Sequence, residues 1–180
     1  RAGVFFSATL QPMHYYAGCL GIREDEGDAM LDLPSPFPPE NQLTLRLPLG
    51  TRYRVREHTA HEVAGALREM CRAKVGNYLA CFPSHAYLNQ IRQILEQDGS
   101  IRILTQRQSM SDRERARFLA QFQENPERPM LALIAMGGVF SEGIDLPGDL
   151  LIGAAIVGIG TPQLSLERAA LEALMDDGEG

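Results

Sequence analysis

At 180 residues, with 44% hydrophobic and 22% charged side chains, the chain has the make-up of one soluble globular domain with room for a small appendage. No apolar run approaches the ~20 residues that span a bilayer, which excludes a membrane role at this level. The net charge of -6 excludes a broadly basic surface, so any contact with nucleic-acid phosphates has to be local.

Val4-Phe5-Phe6 predicts a short buried strand ending at Ser7-Ala8-Thr9, an apolar stretch too short for the core of a signal peptide. Pro12 to Leu20 suits a short helix, with proline at its first turn and Gly21 just past its end. Residues 24–40 then break the regularity. An acidic patch, Glu24-Asp25-Glu26-Gly27-Asp28, leads into Pro34-Ser35-Pro36-Phe37-Pro38-Pro39, whose prolines fix φ and remove donors. This segment reads as a connector or a surface excursion. Leu43, Leu45 and Leu47 around Thr44 and Arg46 give the period-two mark of a strand with one buried face.

Beyond Arg56 helix and strand alternate, the pattern of an α/β fold with a parallel sheet covered by helices. Val63, Leu67 and Met70 lie at helical spacing with Ala66 beside them, and residues 78–82 form an apolar run of strand length. Ile91, Ile94 and Leu95 mark the next helix and residues 101–104 the next strand. Phe118, Leu119 and Phe122 mark a helix opened by Ser111, whose hydroxyl and Glu114 are spaced for a capping box. Residues 130–135 and 151–157 are apolar strands, and residues 164–175 predict a final helix.

Cys19, Cys71 and Cys81 are widely spaced with no C-x-x-C pair, which points to a reducing cytoplasm and away from disulfides or structural zinc. His58, His61 and His85 lack partners at metal-binding spacing, so no metal is expected. The candidate basic stretches are Arg46 with Arg52, Arg54 and Arg56, and the set Arg102, Arg107, Arg113, Arg115 and Arg117, which Asp112 and Glu114 interrupt. Either set also fits an ordinary solvated surface.

Between the last two strands lies Gly137-Gly138-Val139-Phe140-Ser141-Glu142-Gly143-Ile144-Asp145-Leu146-Pro147-Gly148-Asp149. Four glycines, a proline and three carboxylates after an apolar strand describe a loop at the carboxyl end of a sheet, where open α/β folds bind ligands. Glycines let a backbone approach phosphate or ribose closely, Ser141 offers a hydroxyl, and Asp145 can accept from a sugar hydroxyl. A strand-to-helix turn needs glycines in any case, and Asp145 can equally bond nearby amides.

Residues 140–149 closely resemble motif V of superfamily 2 helicases in the form used by the XPD/DinG branch. In the same order, Ser7-Ala8-Thr9-Leu10 resembles motif III and Phe82-Pro83-Ser84 resembles motif IV, while Ser35-Pro36-Phe37 is similar to the segment after motif III in that branch. The resemblance spans almost the whole chain. It implies a RecA-like parallel sheet with helices on both faces. Residues 1–40 would be the end of a first motor lobe and a connector, and residues 41–180 a second lobe.

In such a motor two lobes clamp ATP with Mg2+ and move along single-stranded DNA. The resemblance implies that Ser7 and Thr9 couple the state of ATP to DNA grip, that Gly143 and Asp145 line the second wall of the ATP cleft, and that Ser141 and Glu142 link that wall to the DNA track. It also implies that Ser84 offers its hydroxyl and nearby amides to a DNA phosphate, although a plain helix N-cap is compatible with the same position. Ser7 and Thr9 can likewise cap a strand-end turn. Thr105, Gln106 and Arg107 follow a strand and face either the DNA groove or solvent as an ordinary loop.

The chain has no G-x-x-x-x-G-K-[ST] loop, no Asp-Glu pair preceding Ser7-Ala8-Thr9-Leu10, and no Gln-x-x-Gly-Arg-x-x-Arg segment. The sequence therefore predicts a piece of a larger motor, ending near where the arginine motif would begin, inactive alone and without an iron–sulfur cluster. Its partners would be single-stranded DNA and the first RecA-like lobe. Two other readings remain: a translocase fused to a nuclease, and a nucleic-acid-binding or interaction module that keeps the fold without the motor.

Overall fold

The computed structural model describes residues 3–7, 9–138, 140 and 144–160. The backbone forms two compact units, residues 1–46 and 47–180.

The first unit holds one α-helix, α1 (Met13–Leu20), whose limits follow from its ends. Pro12 enters from an extended φ of -71°, and Gly21 leaves at a left-handed φ of 70°. The amide of Gly21 donates to Gly18 O and that of Ile22 to Ala17 O, the paired bonds of a Schellman closure. The 3-10 turns Glu24–Glu26 and Pro39–Asn41 are the only other helical pieces among the described residues of this unit.

Two sequence expectations are corrected here. Residues 4–6 form no strand, and Val4, Phe5 and Phe6 are exposed. Leu43, Leu45 and Leu47 also lie in irregular backbone with exposed side chains. Alternation supplies an apolar edge, but a strand exists only when a neighbour completes its hydrogen-bond ladder, and neither segment has one among the described residues. In that alternating series it is Leu49 that reaches the core.

The second unit begins with the 3-10 turn Tyr53–Val55 and continues through α2 (Arg56–Ala73), β1 (Asn77–Phe82), α3 (His85–Leu95), β2 (Arg102–Thr105), α4 (Asp112–Leu119), β3 (Met130–Ala135) and β4 (Gly153–Ile156). The strands are all parallel in the order β2-β3-β1-β4. The central ladder is the longest, pairing Asn77 with Met130 through to Phe82 with Ala135. The predicted helix over residues 164–175 lies outside the described residues.

The strand order explains why helices cover both faces. A right-handed crossover from β1 to β2 passes β3 in one direction, and the return to β3 runs in the other, so α3 and α4 fall on opposite sides. The burial pattern follows this. Tyr78, Ala80, Phe82, Leu131 and Leu133 pack with Val63 and Leu67 of α2 and with Leu88, Ile91 and Leu95 of α3. Leu79, Met130, Ala132 and Ile134 point the other way, onto Phe118, Phe122 and Phe140. Strands buried on both faces read as continuous apolar runs, which is how 78–82 and 130–135 appear in the sequence. At the head of α4 the Ser111 amide donates to Glu114 Oε2 at 2.9 Å and the Glu114 amide to Ser111 Oγ at 3.4 Å, the expected capping box.

Among the described residues no helix is long and apolar enough to cross a membrane. At the amino edge of the sheet, the buried Asn77 carboxamide donates to Gln123 O at 2.8 Å and Leu150 O at 3.1 Å. These bonds tie the start of β1 to the segments that precede β3 and β4. Asn77→Ala leaves both carbonyls without this donor and is expected to lower stability by about 2 kcal/mol. Urea denaturation should show this as a lower midpoint at unchanged slope.

Candidate functional site

Because all four strands run the same way, the segments that leave their carboxyl ends gather along one edge. Ser84 follows β1, residues 105–107 close β2, and residues 136–147 follow β3. Main-chain bonds extend the ladders past the strands: Met136 N–H donates to Phe82 O at 2.7 Å, Gln106 N–H to Leu133 O at 2.9 Å, and Val157 N–H to Cys81 O at 2.9 Å. Ser84, Thr105, Gln106, Arg107 and Asp145 therefore start from a fixed backbone along this edge.

Ser84 is the N-cap of α3, with its Oγ accepting from the Tyr87 amide at 3.3 Å. Gln106 is buried, and its Oε1 accepts from the Ala135 amide at 2.8 Å, so its carboxamide faces the protein and locks the end of β2 to β3. Gly138 completes this contact. A Cβ there would stand 2.8 Å from Gln106 Nε2 and 3.1 Å from Ala135 O, so glycine is needed for the close approach. Thr105 is half-buried and Arg107 exposed, the latter in an ion pair with Glu114 at 3.3 Å.

The loop after β3 is held by its apolar residues. Phe140 is buried and stacks on Phe118 with ring centres 4.5 Å apart, and Ile144 and Leu146 pack against the same cluster. Asp145, between two inward-facing neighbours, is exposed and makes no hydrogen bond among the described residues. Its carboxylate is thus presented to solvent from an anchored backbone. Ser141, Glu142 and Gly143 lie outside the described residues. Beneath the loop is a cleft of about 510 Å3, lined by residues such as Leu79, Ile134, Phe140 and Ile156. Its side chains carry no charge for a phosphate.

Ser7 and Thr9 belong to the first unit. Their hydroxyls lie 3.0 Å apart, and the Thr9 amide donates to Ser7 Oγ at 3.2 Å, a local turn in exposed backbone.

A further cluster joins this edge that the sequence reading noted only as arginines. The Arg56 guanidinium lies 4.6 Å from the ring centre of Tyr87 and 5.9 Å from that of Tyr53, and its Nε donates to Thr51 O at 2.9 Å. Burial raises the Tyr87 phenol above its ordinary value despite the neighbouring cation, so the ring stays neutral. The signal in the sequence was the aromatic placed between basic residues in Arg52-Tyr53-Arg54.

No group of three His, Cys, Asp or Glu side chains suited to a metal ion occurs among the described residues. Burial pushes the Cys71 thiol up to about 12 and raises that of Cys81, whereas Cys19 is exposed. At pH 8 Cys71 holds almost no thiolate. A thiol reagent added to the native protein is expected to label Cys19 and leave Cys71 unmodified until unfolding, as peptide mass spectrometry would show.

Comparison with known proteins gives the family. The family described as the helicase C-terminal domain matches residues 67–179. The chain is 27% identical over 177 residues to the ATP-dependent DNA helicase YoaA of Escherichia coli, covering 97% of this chain and 26% of that protein. It is also 27% identical over 177 residues to the ATP-dependent DNA helicase DinG of Photobacterium profundum, covering 94% of this chain and 25% of that protein. The chain thus spans about a quarter of the length of these relatives.

Proposed function

The chain belongs to the helicase C-terminal domain family in a DinG-like form, and on that premise we propose that it is the second motor lobe of an ATP-dependent DNA helicase. In this reading it forms one wall of the ATP cleft and part of the track for single-stranded DNA. The supporting observation is the single carboxyl edge at which the anchored loop with Asp145, the α3 cap at Ser84 and the end of β2 all emerge.

Asp145, exposed on an anchored loop, is suited to accept hydrogen bonds from a ribose or from water around the nucleotide. Gly143 would let that wall approach the nucleotide closely, and Ser141 and Glu142 would carry the state of the cleft to the DNA. Ser84 and the first amides of α3 would hold a phosphate of the strand, with Thr105 and Arg107 beside it and Gln106 fixing the backbone between them. In the first unit, Ser7 and Thr9 would couple nucleotide state to grip, at the end of the first lobe.

The triphosphate and its Mg2+ would be shared with that first lobe, because this sequence has no phosphate-cradling loop of its own. ATP hydrolysis supplies the free energy of strand movement. The residues of this chain orient the nucleotide and the strand, and alone they would not hydrolyse ATP. A reducing cytoplasmic setting fits the unpaired cysteines.

The test is ATP hydrolysis by the full-length protein with and without single-stranded DNA, comparing wild type with Asp145→Ala. Loss of a hydrogen bond from a charged group is expected to cut DNA-stimulated turnover by about 10- to 100-fold while the melting temperature holds. If the wild type hydrolyses no ATP under either condition, the motor reading fails and a nucleic-acid-binding module of the same fold replaces it.

A further inference from the structure

Tyr53 is a large aromatic side chain with 85% of its surface exposed, yet the segment that carries it is held firmly. Thr59 Oγ1 donates to Gly50 O at 2.6 Å, with Val55 O 3.1 Å away as a second acceptor for the same proton, and Arg56 Nε donates to Thr51 O. Thr51 lies so close to the residues after β4 that a Cβ on Gly158 would stand 3.0 Å from Thr51 Oγ1, and Gly158 has a φ of +83°. The turn is therefore seated at the carboxyl edge of the sheet. Arg56 then links it sideways: its guanidinium lies against Tyr53 and Tyr87, and the Tyr87 amide donates to Ser84 Oγ. Contacts through Arg56 and the buried Tyr87 thus connect Tyr53 to the α3 cap.

The charge of the segment that carries Tyr53 opposes that of the chain as a whole. From residue 47 to residue 61 there are three arginines, Arg52, Arg54 and Arg56, against one carboxylate, Glu57, in a chain of net charge -6. Arg52 and Arg54 are exposed and have no ion pair among the described residues, so their charges are available to a ligand. An aromatic face between cations that track a backbone is the arrangement by which proteins hold unpaired bases without reading their sequence.

We propose that Tyr53 is a stacking platform for an unpaired base of single-stranded DNA, with Arg52 and Arg54 on the flanking phosphates. This rests on the reading of the chain as part of a single-strand track and adds to it a binding site ahead of α2. The strand would run from the α3 cap at Ser84, past the Arg56 bridge, to Tyr53.

The experiment uses the full-length protein and a labelled oligothymidine, with affinity measured by fluorescence anisotropy over a range of salt. Tyr53→Ala is expected to weaken binding about tenfold, while Tyr53→Phe, which keeps the ring, binds as wild type. Replacing Arg52 and Arg54 by alanine is expected to flatten the plot of log affinity against log salt by roughly 0.7 per arginine. An oligonucleotide carrying 5-iodouracil should photocross-link to Tyr53, located by mass spectrometry. Wild-type affinity for Tyr53→Ala with an unchanged salt slope for the arginine variant would overturn the platform and leave the track reading standing. Equal losses for Tyr53→Phe and Tyr53→Ala would overturn stacking as the mode of contact. A wild type that binds no oligothymidine at all overturns both the platform and the track.

Discussion

The pairing of β1 with β3, six residues in parallel register, is the constraint from which the rest of the second unit follows. Parallel strands with slanted, evenly spaced bonds require buried faces and long crossovers. Both faces of β1 and β3 are accordingly apolar, and helices must cover each. The same pairing makes every strand end at one edge, so chemistry carried on the segments after β1, β2 and β3 is collected without any of those segments having to reach for the others. Asn77 fixes the opposite, amino edge through carbonyls of two connecting segments. The sheet is thus defined at both ends by specific bonds and in between by apolar packing.

At the functional edge the same principle works at smaller scale. Short apolar anchors hold backbone while polar residues between them are left to solvent. Ile144 and Leu146 pack inward and turn Asp145 outward, and Phe140 is clamped against Phe118. Gln106 is buried, and its Oε1 accepts from the Ala135 amide to complete the ladder between β2 and β3, with Gly138 pressed against the carboxamide. Preorganisation of this kind means that exposed groups at the edge are displayed from a rigid frame.

Much of this was legible in the sequence because it rests on local rules. The limits of α1 followed from Pro12 and Gly21, the start of α4 from Ser111 and Glu114, and β1 and β3 from apolar runs of strand length. The wording of residues 140–149 pointed to the family. The strand order was not legible, because continuous apolar runs such as 78–82 and 130–135 carry no mark of their neighbours. Residues 43–47 show the converse: a correct period-two pattern is only a capacity to pair, and it stays unused where no ladder is completed. The burial of Gln106 was hidden for a related reason. A polar residue just past a strand reads as loop, and only the register of β2 against β3 reveals the amide it accepts from.

The acidic character of the chain is consistent with nucleic-acid contact once charge is considered by place. Phosphate attraction is screened within about 8–10 Å at physiological salt, so a strand responds to charges near its path and hardly to the total. Arg52, Arg54 and Arg56 stand together at the carboxyl edge of the sheet. A net charge of -6 opposes non-specific adhesion to nucleic acid across the whole surface. For the proposed motor lobe, which would have to step along its strand, that arrangement is an advantage. Grip confined to a few cations and one aromatic face can be released by small movements, while a broadly basic surface would hold the strand through every step of the cycle.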